Sequence, residues 1–371
     1  MTENTILAGS AAQVTWIGVD AGATKALAVA VTRGRGGAVH VVARSRRMPY
    51  PRVHGFRPVP LERQLEEAAA QRARLTDAER QQGHAIVGTV GRAIARVLRT
   101  GVPARIGFCL AGLKTDDGAG VSVWANGPRM PSFAAELCHE LDRLGIARPH
   151  MALPLSSDGY CSGLGEDAGP RGRLRSVRNA YYAGAGTGVA EALKLEGRVI
   201  PLDEAAQWFP KAWQIPWASG GTAEGAVSAH GLMRRYESRS GRSSLSTARP
   251  ARPLTEAVRG DAWAQQVVRA WADDWARFAA HRIALWRRGN PDRPLQRFVV
   301  GQRAGEALAR HDLAPFFKLP FEARLTALLR AMKASEFLCV RRRGLRRGFV
   351  TPSRWMEAPA VGAAVLAMGE Q

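Results

Sequence analysis

Six residues near the start of the chain, Asp20-Ala21-Gly22-Ala23-Thr24-Lys25, bring a carboxylate, a glycine, a hydroxyl and an ammonium into one short stretch. A turn of that composition can aim several backbone N–H groups at one point and add a hydroxyl and a positive charge, which is what a phosphate chain requires. The same residues also make an ordinary polar hairpin turn, and both readings stand on the motif alone. A second glycine–threonine stretch, Gly184-Ala185-Gly186-Thr187-Gly188, repeats the pattern in the second half, so that the phosphates of a nucleotide could be clamped from both sides. Between the two, Ser156-Ser157-Asp158-Gly159 puts Asp158 where a strand ends and a helix begins. A carboxylate there is either a helix N-cap or a general base. Asp116 and Asp117 form a second acidic pair, but Thr-Asp-Asp-Gly is turn chemistry and the turn explains it more simply.

The elements around these residues follow from periodicity. Apolar runs on both sides of Asp20–Lys25 predict two antiparallel strands, with a third over 38–43. Residues 61–99 read as largely helical, with Thr76-Asp77-Ala78-Glu79 as a capping box. A buried strand is expected over 105–110, a helix over 132–144, a strand over 151–155 and a helix entered through Asp158. The second half repeats strand, glycine turn, strand and a third strand from Asn179 to Arg198, an internal repeat of pattern rather than of identity. One helix is expected from Gly220 to Tyr236, then a long one from Thr255 to Arg288 broken near Gly260-Asp261. Trp263, Val267, Trp271, Trp275 and Phe278 form a stripe on it that reads as core. A strand at 297–302, helices at 304–310 and 321–332, a strand near 337–340 and a small-residue helix at 357–368 complete the reading.

Bulk properties bound the function class. The chain has 371 residues, 46% of them hydrophobic, enough for two domains with proper cores. Cys109, Cys138, Cys161 and Cys339 have neither disulfide-framework nor zinc spacing. The first residues lack a signal-peptide pattern, and no apolar run approaches a bilayer span, so the protein is expected in the cytoplasm with no membrane partner. The formal charge is +21, yet only six of the 53 basic residues are lysines, and the arginines are spread over helices. Two clusters, Arg171 to Arg178 and Arg341 to Arg347, fit either solvated surface or a field suited to an anionic partner or polyphosphate; nucleic acid is disfavoured.

The order of these landmarks resembles the ROK family of sugar kinases, in the actin-like, hexokinase and Hsp70 ATPase superfamily. Asp20 to Lys25 is similar to that family's first phosphate motif and Gly186-Thr187-Gly188-Val189 to its second. Gly220-Gly-Thr-Ala-Glu224-Gly-Ala-Val-Ser228 resembles its Gly-Cys-x-Glu-x-x-x-Ser segment, and Val299-Val300-Gly301 and Pro359 to Ala364 follow in the right order. N-acetylglucosamine kinases and BadF-type ATPases of the same superfamily are close competitors. The resemblance implies an α/β fold of two actin-like ATPase (ribonuclease H-like) domains with a ligand cleft between them. They would span residues 1–155 and 156–356, with the helix at 357–371 packing back on the first.

It also implies ATP as phosphoryl donor, Mg²⁺ held by Asp20 through water, and a hexose or N-acetylhexosamine as acceptor with Asp158 as general base. Asp20, Gly22, Thr24, Lys25, Gly186, Thr187 and Gly188 would bind the phosphates, and Gly301 and Gln302 the adenosine. Asn126, Gly127, Ser157 and Glu224 would face the sugar. Homodimers are common in the family. Nineteen residues precede Asp20, too few for the helix-turn-helix of ROK repressors, which favours the kinase branch. The departures are specific. Ser157 replaces the asparagine that usually precedes the base, Glu191 stands where a glycine is expected, and Gln302 replaces the second glycine of the adenosine turn. The His and three Cys of the family's zinc motif are missing around 208–222, so no zinc is expected. These differences leave two alternatives, an ATPase acting with a protein partner and a non-catalytic sugar-binding or regulatory member.

Overall fold

The computed structural model describes residues 14–99, 102–125, 127–146, 150–240, 251–332, 340–341 and 344–369. The chain divides into two units, one of residues 1–157 with 360–371 and one of residues 158–359.

In the first unit, β1 (Thr15–Ala21) and β2 (Lys25–Arg33) form the antiparallel hairpin on either side of the Gly22–Thr24 turn, in register from Trp16↔Val31 to Ala21↔Ala26. β3 (Val39–Arg44) and β4 (Met48–Pro49) both pair with β2. α1 (Leu61–Ala69) and α2 (Asp77–Ala95) are separate helices, the second started by the Thr76–Glu79 capping box as the sequence predicts. β5 (Ala104–Leu110) lies parallel to β1. A small ribbon of β6 (Leu113–Lys114) and β7 (Val121–Val123) precedes α3 (Phe133–Arg143). The strand expected over 151–155 is reduced to β8 (His150–Met151), and β9 (Ser156–Ser157) pairs further along β5. The sheet order is β3-β2-β1-β5-β8.

The second unit opens with α4 (Asp158–Ala168), then β10 (Ala180–Ala185), β11 (Val189–Leu195) and β12 (Arg198–Ile200). The single helix expected from Gly220 to Tyr236 is two helices, α5 (Ala223–Val227) and α6 (Ala229–Glu237). Ser228 separates them, its extended backbone ending the first while its hydroxyl caps the second by accepting from Gly231 N–H. α7 (Arg252–Val258) and α8 (Ala262–Gly289) meet at Gly260-Asp261, where Asp261 caps α8. β13 (Arg297–Gly301), α9 (Gln302–Ala309), α10 (Leu319–Ala331), a ribbon of β14 (Val340–Arg341) and β15 (Gly344–Leu345), and β16 (Val350–Pro352) follow. The strand expected near 337–340 lies largely outside the described residues. The sheet order is β12-β11-β10-β13-β16, with the first three strands antiparallel and the last pairs parallel, as in the first unit. The repeat of pattern is thus a repeat of topology.

α11 (Ala358–Ala367) completes the first sheet. Gly18 and Gly107 are register partners on β1 and β5, and a methyl group on either would overlap a carbonyl oxygen of α11, at Ala360 and Ala363. Two adjacent residues without side chains let the helix backbone lie directly on the strands. The aromatic stripe of α8 is core. Trp271, Trp275, Phe278 and Trp286 are all buried.

Candidate active site

On the first unit, the turn residues are carried at the ends of parallel strands, the edge at which α/β sheets bind ligands. Asp20 pairs in register with Cys109 on β5, and Cys109 with Ser156 on β9, so the three form one row across the sheet. Asp158 is the second residue beyond that row along the chain. The Cys109 thiol donates to Asp20 Oδ1 at 3.7 Å, and a methyl at Gly22 would lie 3.6 Å from the same oxygen. Thr24 and Lys25 are exposed.

Tyr50, which sequence reasoning passed over, belongs to this group. The pairing of β4 with the start of β2 carries it to the turn, where its N–H donates to Thr24 C=O at 3.1 Å. Its hydroxyl is buried and, among the described residues, makes no hydrogen bond. Burial, then the nearby charges of Asp20 and Cys109, push its pKa well above the usual tyrosine value. The only signal in the sequence would have been a lone aromatic in a Pro/Arg-rich connector.

The loop that carries the candidate sugar contacts is held from an unexpected direction. Asn126 lies outside the described residues. Gly127 is buried, its N–H bonded to Trp124 C=O at 3.2 Å and its Cα against the Trp124 ring. Trp124 in turn is gripped by Gln64 of α1, whose amide accepts from Trp124 N–H at 2.7 Å and donates to Trp124 C=O at 3.1 Å. Arg129, just past the loop, is 2% exposed and pairs with Glu79 at 2.8 Å and with Glu67. The acidic pair Asp116/Asp117 is a turn, with Asp117 Oδ1 accepting from Thr115 and Ala119.

On the second unit, Asp158 is the first residue of α4, and its Oδ1 accepts from Gly159 N–H at 2.9 Å. Gly159 permits the close approach of α4 to β11, because a side chain there would strike the Glu191 backbone. Ser157 is exposed. The Gly186–Gly188 turn joins β10 to β11. Gly186 N–H bonds Gly188 C=O at 2.9 Å, Ala229 N–H of α6 bonds Gly186 C=O at 3.0 Å, and Glu224 Oε2 accepts from Val189 N–H at 2.9 Å. Among the described residues, the N–H groups of Thr187 and Gly188 make no backbone hydrogen bond. Burial raises the Glu224 pKa; the Val189 N–H opposes this, while the charges of Asp158 and Glu191 add to it. Glu224 therefore shares its surroundings with both Asp158 and the glycine turn. The indole N–H groups of Trp271 and Trp275 both donate to Val227 C=O, at 3.0 and 2.9 Å, which ties the end of α5, the helix that carries Glu224, to α8.

No family model matches the sequence, and no curated protein matches it. Solved structures do match, over nearly the whole chain. A ROK family glucokinase from Streptomyces griseus superposes with a TM-score of 0.62 at 16% identity, covering 96% of this chain and 99% of that one. A ROK hexokinase from Thermus thermophilus gives 0.55 at 18% identity over 95% and 98%. An inorganic polyphosphate/ATP-glucomannokinase from Arthrobacter sp. strain KM gives 0.53 at 17% identity over 96% and 100%. The chain has the ROK sugar-kinase fold.

Within this ROK fold the two departures near the second turn have different consequences. Glu191 points into the core. Its carboxylate bonds Arg282, Tyr181 Oη at 2.6 Å and Ala212 N–H at 2.6 Å, while Arg282 also donates to Pro210 C=O at 2.6 Å. The side chain that replaces the expected glycine is thus held in the core. The pair ties β11 and α8 to residues 210–212, part of the segment in which ROK proteins carry their zinc motif. Among the described residues, no group of three or more His, Cys, Asp or Glu is placed to hold a metal ion. Gln302 is different. It has φ 53°, in the left-handed region, and it bridges Ala185 at the end of β10. Gly301 beside it is buried, with its Cα against the Tyr182 ring. No helix among the described residues is long and apolar enough to cross a membrane.

Proposed function

We propose that this chain is an ATP-dependent kinase that transfers the γ-phosphoryl group to a hydroxyl of a hexose or N-acetylhexosamine. The carrying observation is the row Asp20–Cys109–Ser156, with Asp158 following at the start of α4. It supports one carboxylate beside the first phosphate turn and a second, that of Asp158, at the start of α4 as the base. The acceptor oxygen attacks phosphorus, its proton passes to the Asp158 carboxylate, and the bond to the β-phosphate oxygen breaks to release ADP. Such transfers ask chiefly for positioning and charge neutralisation, which few groups can supply. The Streptomyces griseus relative was solved with glucose and AMPPNP, which supports the same ligand classes here.

Mg²⁺ fits the residues present as a partner of the nucleotide rather than as a resident ion, since it is commonly held by one or two carboxylates plus phosphates and water. Asp20 would hold it through water, and the unpaired Tyr50 hydroxyl beside Asp20 suits that water shell. When bound, the ion neutralises phosphate charge. Gly22, Thr24, Lys25, Thr187 and Gly188 orient the phosphates, and Glu224 sets the second turn and contacts the sugar.

The test is ADP release across a panel of hexoses and N-acetylhexosamines, beside Asp158→Asn. Sugar-stimulated turnover is expected, reduced about 10²- to 10⁴-fold in the variant. Turnover that ignores sugar, or an unimpaired variant, would sink the reading. One observation favours a second reading, a sugar-binding regulatory protein: Gln302 lies at the second turn, and a ROK transcriptional regulator shares the fold with a TM-score of 0.52. Sugar binding without nucleotide binding would support it.

A further inference from the structure

We infer that the Gln302 side chain occupies the second phosphate turn and competes with the nucleotide for it. This rests on the kinase reading above and names the residue that sets how readily the donor seats. A methyl group built on Gly186 would lie 2.5 Å from Gln302 Oε1, and one on Gly184 would lie 3.0 and 3.1 Å from Gln302 Cγ and Cδ. The side chain thus runs along the end of β10 from Gly184 to Gly186, where the turn begins, in ordinary packing contact only because both residues lack a side chain. The backbone explains how it gets there. Gln302 takes a left-handed φ of 53° at the junction of β13 and α9, a conformation that suits glycine and is disfavoured for other residues. Its backbone bridges Ala185 of β10, and from there its side chain lies against Gly184 and Gly186.

A phosphate chain that reaches the N–H groups of Thr187 and Gly188 along Gly186 shares that space with the amide. The amide must rotate off the turn before a phosphate chain can seat, and the fraction of molecules with the turn open divides the intrinsic affinity. A turn open in about one molecule in ten weakens the apparent affinity tenfold.

The experiment is calorimetric titration of Mg²⁺-ADP into the full chain as wild type, Gln302→Ala and Gln302→Gly. Alanine removes the amide but keeps the strained backbone, whereas glycine relieves both. Tighter binding by about tenfold or more in both variants is the expected result. Equal or weaker binding in both, or a gain confined to glycine, overturns the inference while leaving the kinase reading in place. If none of the three proteins binds Mg²⁺-ADP, the nucleotide reading falls and this inference with it.

Discussion

Glu191 and Arg282 form an ion pair inside the second unit, with side chains 4% and 0% exposed, and between them they engage Tyr181, Pro210 and Ala212. The arginine is also sandwiched by aromatic rings, its guanidinium carbon 4.4 Å from the Phe209 centroid and 5.2 Å from that of Phe278. Removing one partner of such a pair leaves an uncompensated buried charge. Arg282→Ala is expected to lose about 3–5 kcal/mol of stability, read as a lower urea midpoint. Replacing both partners with apolar residues, Glu191→Leu with Arg282→Met, should recover most of that loss. If the double variant were no better than the single one, the carboxylate's bond to Ala212 would be the dominant contribution.

Gln64 makes the second test. Its amide bonds both backbone groups of Trp124, so Gln64→Ala leaves the buried Trp124 N–H without that partner, while the C=O keeps its bond from Gly127 N–H. A loss of about 1–3 kcal/mol is expected, together with faster hydrogen exchange at the Trp124 amide. Unchanged exchange there would mean that the ring packing of Trp124 holds the loop by itself.

Tyr50→Phe separates a binding role from a packing role. The hydroxyl makes no hydrogen bond among the described residues, so its removal should leave the melting temperature of the free protein unchanged or higher. If the hydroxyl serves the water shell at Asp20, the Mg²⁺ concentration for half-maximal ADP release should rise about three- to tenfold, the worth of one hydrogen bond. A fall in melting temperature with no change in the Mg²⁺ requirement would assign Tyr50 to packing alone.

Acid stability should depend on Arg129. Burial pushes the Glu79 carboxyl up, but the hydrogen bonds and charge of Arg129, with the Thr76 N–H, outweigh it and hold the group below the ordinary 4.5. At Glu67 the bonds from Arg63 and Arg129 act in the same downward direction. Carboxyls depressed in the folded state supply stability that is present above their unfolded value and lost as pH falls through the folded one. Urea midpoints should therefore drop below about pH 4.5, and Glu79→Gln should be less stable at neutral pH with a flatter acid limb. Parallel curves for the two proteins would count against the assignment.

The elements were legible where local chemistry decides them. Both glycine hairpins follow from apolar runs broken by Gly and Thr, α2 from its capping box, and the α7–α8 break from Gly260-Asp261. What escaped depends on long-range pairing. Tyr50 reaches Asp20 only because β4 pairs with β2, and Gln64 reaches Trp124, sixty positions further along the chain. Glu191 was visible only as a departure from the glycine that the ROK resemblance leads one to expect; that the alternation of β11 turns its side chain to the core was not. Gln302 was visible as a departure from glycine; that its backbone keeps the glycine conformation, and so aims the amide at the turn, was not.

The glycine pair under α11 bears on the order in which the protein is made. Gly18 and Gly107 present a bare strip of β1 and β5 whose cover, from Ala360 onward, leaves the ribosome only after the entire second unit. Until then that face of the first sheet lacks its cover, while Ile17, Val19, Ile106 and Phe108, on the opposite face, pack with α2 and α3. The first unit is thus begun first and completed last, and a nascent chain stalled before residue 360 carries a half-built domain for chaperones to shield.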